Sequence, residues 1–253
     1  MAIPVPGRAP RSLPLPSRRS LAVGFGLLAL AGGAYAIARE TSAFAVGHIE
    51  VVGGSPSLRA RVRSALAPLR GTNLLALDGV SLERRVESLP WVVSATYDRA
   101  FPHTLRVTIV PEVPVAVLHR GRETWLVSSR GRVLARIVPG TRPLLPRIWV
   151  RMATSVSTGA FLAPDGGGIA ARTLGLVGRF PARIATASLM HGELTFALRS
   201  GVQIRFGEPS DVRLKLAIAR RALLVLPRGS TYLDVSVPGR PVAGSESQLS
   251  GRA

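Results

Sequence analysis

An uninterrupted apolar stretch follows the first twenty residues of the chain. Residues 21–38, LAVGFGLLALAGGAYAIA, carry no charge, and Arg39 and Glu40 close the stretch. At about 1.5 Å per residue, a helix of this length measures about 27 Å, close to the ~30 Å of a bilayer's hydrocarbon layer. We therefore expect residues 20–38 to form a single transmembrane helix.

A cleaved signal peptide is the alternative reading of the same stretch. Ala34-Tyr35-Ala36 and Ala36-Ile37-Ala38 both fit a small-x-small cleavage pattern. The apolar run is longer than the usual signal core of about 7–15 residues, and the basic segment before it is also long. These two features favour an anchor that is not cleaved.

Residues 46–112 alternate between the periodicities of strands and helices. A β-rich run at residues 48–52 ends at two glycines, and Ser57 is a candidate N-cap for the helix that follows. The apolar face of that helix is predicted to consist of Leu58, Val62, Leu66 and Leu69. A second helix is predicted over residues 81–89. Two strands complete a β-α-α-β-β unit, at residues 92–99 and 104–110.

Residues 113–237 are richer in strand signals. The predicted strands before the unassigned Pro/Gly-rich segment 138–168 lie at residues 115–118, 124–127 and 132–137. A helix is expected at residues 169–177, and a hairpin turns at Ser200-Gly201. Residues 231–237 form the last predicted strand, and residues 238–253, rich in Gly, Ser and Pro, are expected to be a flexible tail.

A long helix is predicted over residues 211–226, before Pro227. One face consists of Leu214, Ile218 and Val225, and the adjoining face of Leu216, Ala219, Leu223 and Leu226. The expected fold class is therefore α+β, with an anchor helix, a β-α-α-β-β unit and a strand-rich unit containing a long helix.

Charge changes this picture mainly by orienting the chain. The sequence of 253 residues has 33 Lys+Arg against 14 Asp+Glu, a net charge of +19. Arginines are spread evenly and aromatic residues make up only 5% of the chain, so neither a basic stripe nor a base-stacking platform for nucleic acid is evident. Four arginines precede the apolar stretch and predict a cytoplasmic basic tail at residues 1–19. They are Arg8, Arg11, Arg18 and Arg19.

Motifs for catalysis or metal binding are missing from the sequence. The chain has no cysteine, and its four histidines lie far apart, at positions 48, 103, 119 and 191. The sequence Gly166-Gly167-Gly168 is not followed by the lysine of a phosphate-binding loop. We therefore expect no enzyme activity, no cofactor, no metal and no small-molecule substrate.

Three runs of sequence resemble one protein family. They are GTNLLALD at residues 71–78, LPWVVSATYDRAFPHTLRVTIVPEVPVAVL at residues 89–118 and WLVSSRGRVL at residues 125–134. With the anchor before them and YLDVSVP at residues 232–238 after them, they resemble the FtsQ/DivIB cell-division family over nearly the whole chain. Phe101 stands where many relatives have Trp, and Ser128 where many have Asp, so a carboxylate cannot cap the turn at Gly131.

The resemblance implies a non-catalytic, single-pass scaffold of the bacterial divisome in the plasma membrane, enriched at the septum. Residues 1–19 would be cytoplasmic and residues 20–38 would cross the bilayer. On the other side, residues 46–112 would form a POTRA domain and residues 113–237 a β domain, followed by a tail at 238–253. The implied partners are FtsB-like and FtsL-like single-span proteins. The alternative is an exported POTRA-type chaperone for outer-membrane or secretion assembly.

The last predicted strand is the candidate partner-binding site. If it lies at the sheet edge, its free backbone groups can pair with a strand from a partner. In the implied family the partner surface also lies in this region. The candidate residues are Tyr232, Leu233, Asp234, Val235, Ser236 and Val237. Leu233 and Val235 are expected to face the core, and Tyr232 to be the main anchor.

Overall fold

Two β-sheets of different size organise residues 18–245, the part of the chain that the structure describes. The structure is a computed structural model. Most of the basic tail expected at residues 1–19, and the last part of the tail expected at 238–253, lie outside the described residues.

The first helix, α1 (Arg18–Glu40), contains the apolar stretch. Its segment Leu21–Arg39 has a mean hydropathy of 1.9, and residues 21–37 are all exposed in the described chain, whereas the Ala38 carbonyl accepts a hydrogen bond from Asn73. The side chains of Leu28 and Phe25 are more than two-thirds exposed. An apolar helix that is exposed over almost its whole length needs an apolar solvent, which fits the predicted transmembrane anchor.

The next elements follow the predicted β-α-α-β-β order. They are β1 (His48–Val52), α2 (Pro56–Leu66), α3 (Gly79–Glu87), β2 (Val92–Ala100) and β3 (Thr104–Pro111). The strands form a three-stranded sheet in the order β1-β3-β2, with β1 parallel and β2 antiparallel to β3. The predicted helix stripe is buried at Leu58, Val62 and Leu66, against the alternating β3 residues Leu105, Val107 and Ile109.

Both helices of this unit begin at a side-chain cap. Ser55, rather than the predicted Ser57, caps α2, because its hydroxyl accepts a hydrogen bond from the Leu58 amide and Pro56 fits the first helical position. Asp78 caps α3, and the hydroxyl of Ser81 donates to its carboxylate. These hydrogen bonds lower the pKa of Asp78 below its usual value.

The second sheet has nine strands among the described residues, in the order β12-β11-β10-β9-β8-β7-β4-β5-β6. Its first part consists of β4 (Pro114–Arg120), β5 (Glu123–Ser128), β6 (Val133–Ile137) and β7 (Arg147–Trp149). The remaining strands are β8 (Ile184–Met190), β9 (Glu193–Leu198), β10 (Gln203–Gly207), β11 (Tyr232–Asp234) and β12 (Val242–Gly244). The predicted hairpin joins β9 to β10 through Ser200-Gly201, where Gly201 has φ +92°.

Two helices, α4 (Ile169–Leu176) and α5 (Val212–Ala222), contribute to the core of the second sheet. The predicted face with Leu214 and Val225 is wrong, because these side chains are 53% and 81% exposed. Leu216 and Ala219, which belong to the adjoining predicted face, are buried, and Ile218, Leu223 and Leu226 pack against the same core. Lys215, also buried, donates to the carbonyls of Phe206, in β10, and Glu208, just after it, and these hydrogen bonds fix the rotation of α5.

Arg132 joins the two sheets across their junction. Its side chain is buried, and its Nη1 donates to the Val92 carbonyl at 2.8 Å. Its Nη2 donates to the carbonyls of Glu87 and Ser88, where α3 ends, at 3.0 and 3.3 Å. The last carbonyls of a helix lack donors within the helix. The guanidinium of Arg132, from the second sheet, therefore supplies the hydrogen bonds that the end of α3 lacks.

Apolar contacts and one buried acid complete the junction. Trp91 of the first unit packs against Val117, Leu126 and Leu134 of the second sheet. Glu112 is fully buried between the units, and its carboxylate lies 3.7 Å from the guanidinium of Arg130. The hydroxyl of Ser128 accepts hydrogen bonds from the amides of Arg130 and Arg132 and so caps the turn without a carboxylate.

We predict that Arg132→Met destabilises the protein by about 3–5 kcal/mol, because several junction carbonyls then lose a charged donor. Denaturant unfolding of the full chain in detergent, followed by tryptophan fluorescence, measures the loss. The control is Arg136→Met, since Arg136 has a side chain 65% exposed and only a surface ion pair with Glu123, which is worth less than about 1 kcal/mol. Equal stability of the two variants would contradict the role given to Arg132.

Candidate partner-binding edge

The C-terminal end of the second sheet consists of β10, β11 and β12. β11 runs parallel to β10, with Gln203 opposite Tyr232 and Arg205 opposite Asp234. β12 runs antiparallel to β11, with Gly244 opposite Tyr232 and Val242 opposite Asp234. The strand containing the predicted site is therefore paired on both sides.

The expectation that residues 231–237 form the sheet edge is wrong. The chain turns after Val237, whose carbonyl accepts a hydrogen bond from the Arg240 amide, and returns as Val242–Gly244. Part of the predicted flexible tail is thus a strand that covers β11. In the described chain, the edge of this sheet is β12.

The six predicted residues differ in how accessible they are. Leu233 and Val235 are buried in the core, as their alternation predicted. Tyr232, Asp234 and Ser236 are half-buried, and only Val237 is mainly exposed, at 58%. The structure brings these residues to the C-terminal end of the sheet, one strand inside its edge.

Tyr232 lies between a cation and a glycine. The guanidinium carbon of Arg205 is 4.9 Å from the centre of its ring. On the other side, a Cβ added to Gly244 would lie 2.9 Å from the Tyr232 hydroxyl oxygen and 3.1 Å from Cζ. A larger residue at position 244 would therefore displace the end of the Tyr232 ring, which contacts Arg205 of β10 as well as β12.

A local hydrogen bond ends β11 after Asp234. The Asp234 carboxylate accepts a hydrogen bond from the Ser236 amide at 2.8 Å, which bends the backbone away from the regular ladder. The Val235 amide still donates to the Arg205 carbonyl, so the core contact of Val235 is retained. Asp234 and Ser236 thus shape the turn into β12 instead of presenting a free strand.

Sequence reasoning missed the edge residues Val242, Ala243 and Gly244. Val242 is 52% exposed and Ala243 is also exposed. The signal for this strand was the turn pair Pro238-Gly239 before a short apolar run, but three residues give too little alternation to recognise a strand. The outer backbone groups of β12 face no other strand of the described chain, and such an edge can accept a further strand.

A shallow groove lies on the face of the sheet, beginning two strands inside the β12 edge. The face of the sheet around β8, β9 and β10 has a shallow cleft of about 400 Å³. Short polar side chains line much of it, including Thr186, Ser188, Thr195 and Gln203. Among residues 18–245, no three His, Asp or Glu side chains are grouped closely enough to hold a metal ion.

Comparisons with known proteins agree on one family. Residues 44–110 match the model of the FtsQ-type POTRA domain. A protein of Streptomyces venezuelae named cell division protein FtsQ is 26% identical over 94% of this chain and 88% of its own length. Its namesake in Myxococcus fulvus is 28% identical over 87% of this chain and 78% of its own length. The one in Mycobacteroides abscessus is 34% identical, over 71% of this chain and 55% of its own length.

We predict that Gly244→Ala loosens β12, because the new methyl group collides with the Tyr232 ring. The readout is amide hydrogen exchange at Thr231, whose N–H donates to the Gly244 carbonyl, and we expect exchange about tenfold faster. Gly239→Ala is the control, since no atom lies within 4 Å of its added Cβ. A second change, Tyr232→Ala, should restore slow exchange in the Gly244→Ala chain. Unchanged exchange in Gly244→Ala would contradict this packing.

Proposed function

The chain is a relative of the FtsQ cell division proteins with an FtsQ-type POTRA domain, and from this premise we propose that it is a non-catalytic scaffold of the bacterial divisome. A role in cell division rests on relatives that align with nearly the whole chain. The absence of catalytic motifs from the sequence supports a task of protein contact instead of chemistry.

The proposed topology is a single pass through the plasma membrane. The basic residues before α1 favour a cytoplasmic N-terminus. The POTRA domain and the β domain, assigned to residues 46–112 and 113–237, then lie outside the cytoplasm. A fluorescent protein fused to the N-terminus should concentrate at the septum of dividing cells.

The proposed partners are FtsB-like and FtsL-like single-span proteins, and the proposed mode of binding is strand addition at the C-terminal edge. The observation that carries this mode is the exposed outer edge of β12, next to a half-buried Tyr232. An added strand gains backbone hydrogen bonds along β12, while alternate side chains reach the adjoining sheet face. In this arrangement Tyr232, Asp234 and Ser236 support β12, and Val237 lies beside its turn.

We predict that Ala243→Pro weakens association with the FtsB-like partner about tenfold or more, since proline removes a backbone donor and distorts a three-residue strand. Binding of the purified partner to the full chain in nanodiscs is the measurement. Arg240→Ala, in the exposed turn before β12, is the control. Wild-type affinity of the proline variant would exclude strand addition at β12.

A disulfide distinguishes addition to β12 from displacement of β12. Because the natural chain has no cysteine, Asp234→Cys combined with Val242→Cys can lock β11 to β12 at a position where the two residues are register partners. Addition at the outer edge predicts equal partner affinity for the oxidised and reduced forms. Loss of binding only in the oxidised form would mean that the partner replaces β12, and would overturn outer-edge addition.

A further inference from the structure

Asn73 connects the apolar helix to the domain that follows it. Its Nδ2 donates to the carbonyls of Ala38 and Thr41, both at 2.7 Å. Its Oδ1 accepts the Leu75 amide at 2.8 Å. The two ends of the amide are therefore used for different purposes: the oxygen caps a turn of the first unit and the nitrogen holds the end of α1.

The segment between α1 and β1 is also held by backbone hydrogen bonds. The Val46 amide donates to the Thr72 carbonyl, and the Gly71 amide donates to the Val46 carbonyl. The imidazole Nδ1 of His103 lies 3.2 Å from the Ala45 carbonyl. A linker so fully bonded cannot swing freely, so the orientation of the first unit relative to α1 is fixed.

The position of Asn73 follows from the length of α1. The uncharged stretch measures about 27 Å and ends at Ala38, so the Ala38 carbonyl lies at the boundary of the hydrocarbon layer. The headgroup region beyond that boundary is about 5–7 Å thick. Asn73, in direct contact with this carbonyl, therefore lies among the headgroups, and its neighbours in the first unit lie close to them.

An aromatic pair, consisting of the exposed Phe101 and the partly buried Phe44, lies on the same side of the first unit. Phe44 follows α1 by four residues, and its ring meets that of Phe101 edge-to-face at 5.5 Å. Phe101, at the tip of the β2–β3 hairpin, remains 51% exposed. Arg39, in the last turn of α1, and Arg70, next to Gly71, whose amide donates to the Val46 carbonyl, are exposed as well. Aromatic rings prefer the membrane interface, and arginines attract anionic headgroups.

We propose that the first unit docks on the outer leaflet of the membrane through Phe101, which the partly buried Phe44 supports, and that Asn73 is the clamp that sets the angle between this unit and α1. The occupant of this surface is a phospholipid interface containing anionic headgroups. The inference rests on the proposed membrane span of α1. The unit then acts as a fixed spacer that holds the second sheet, and its β12 edge, at a defined height above the bilayer.

The first experiment measures depth in the membrane with tryptophan fluorescence in nanodiscs that contain nitroxide-labelled lipids. Phe101→Trp should be quenched about twofold more strongly by headgroup-labelled lipid than Met190→Trp, a control at an exposed site of the second sheet. The variants are read as differences from the wild-type chain, which has three tryptophans. Equal quenching of the two variants would overturn the docking proposal.

A third variant separates this inference from the proposed topology. Phe25→Trp, in the middle of α1, should be quenched by acyl-chain nitroxides. If Phe25→Trp is quenched and Phe101→Trp is not, α1 spans the membrane and only the docking is wrong. If neither is quenched, the span itself is wrong, and the docking proposal falls with it.

The second experiment tests the clamp. Asn73→Asp keeps an oxygen for the Leu75 amide but replaces the donor to Ala38 and Thr41 with an acceptor. Spin labels are attached at Arg19→Cys in α1 and Arg84→Cys in α3, and pulsed electron resonance in the same nanodiscs measures the distance between them. The width of that distance distribution reports how freely the first unit moves relative to α1. We expect a narrow distance distribution in the parent chain and a broad one in Asn73→Asp. Equal widths would overturn the clamp.

Discussion

The arrangement of this protein depends on the sharing of the buried Arg132 guanidinium among backbone carbonyls at the junction of its two sheets. The carbonyls at the end of α3 cannot be satisfied within the helix, and the cation cannot be buried without acceptors. The carbonyls gain a donor and the guanidinium gains acceptors only when the first unit and the second sheet are in contact. The junction is thus specified by polar groups as well as by the apolar contacts of Trp91.

The same use of backbone carbonyls explains much of the basic excess. Fourteen acids cannot pair with 33 basic residues. In the described chain, several cations instead donate to carbonyls at the ends of helices and strands: Lys215 beyond β10, Arg220 at the end of α4, and Arg132 at the junction. Arginine suits this task because its planar group presents several donors in fixed directions. Part of the basic excess therefore has a structural role inside the fold.

Sequence periodicity predicted elements whose pattern is long enough to repeat. The stripe Leu58–Val62–Leu66 and the alternation along β3 both lie in the core of the first unit. The strands β7 and β12 were not predicted, because each has three residues, too few to show an alternation of apolar and polar side chains. Of the two predicted faces of α5, the one with Leu216 and Ala219 is buried, and the exposure of Leu214 was missed because the buried Lys215, whose charge carbonyls satisfy, looks like a surface residue in sequence. The predicted last strand is β11, which lies one strand inside the sheet edge that β12 forms.

The central claim is that a partner strand pairs with the outer edge of β12 while β11 stays in place. Hydrogen exchange of the full chain in nanodiscs, with and without the FtsB-like partner, tests it at single-amide resolution. The account predicts that amides within Val242–Gly244 become protected on binding and that those of Leu233 and Val235 stay as slow as before. Unchanged exchange in β12, or faster exchange in β11, would contradict it.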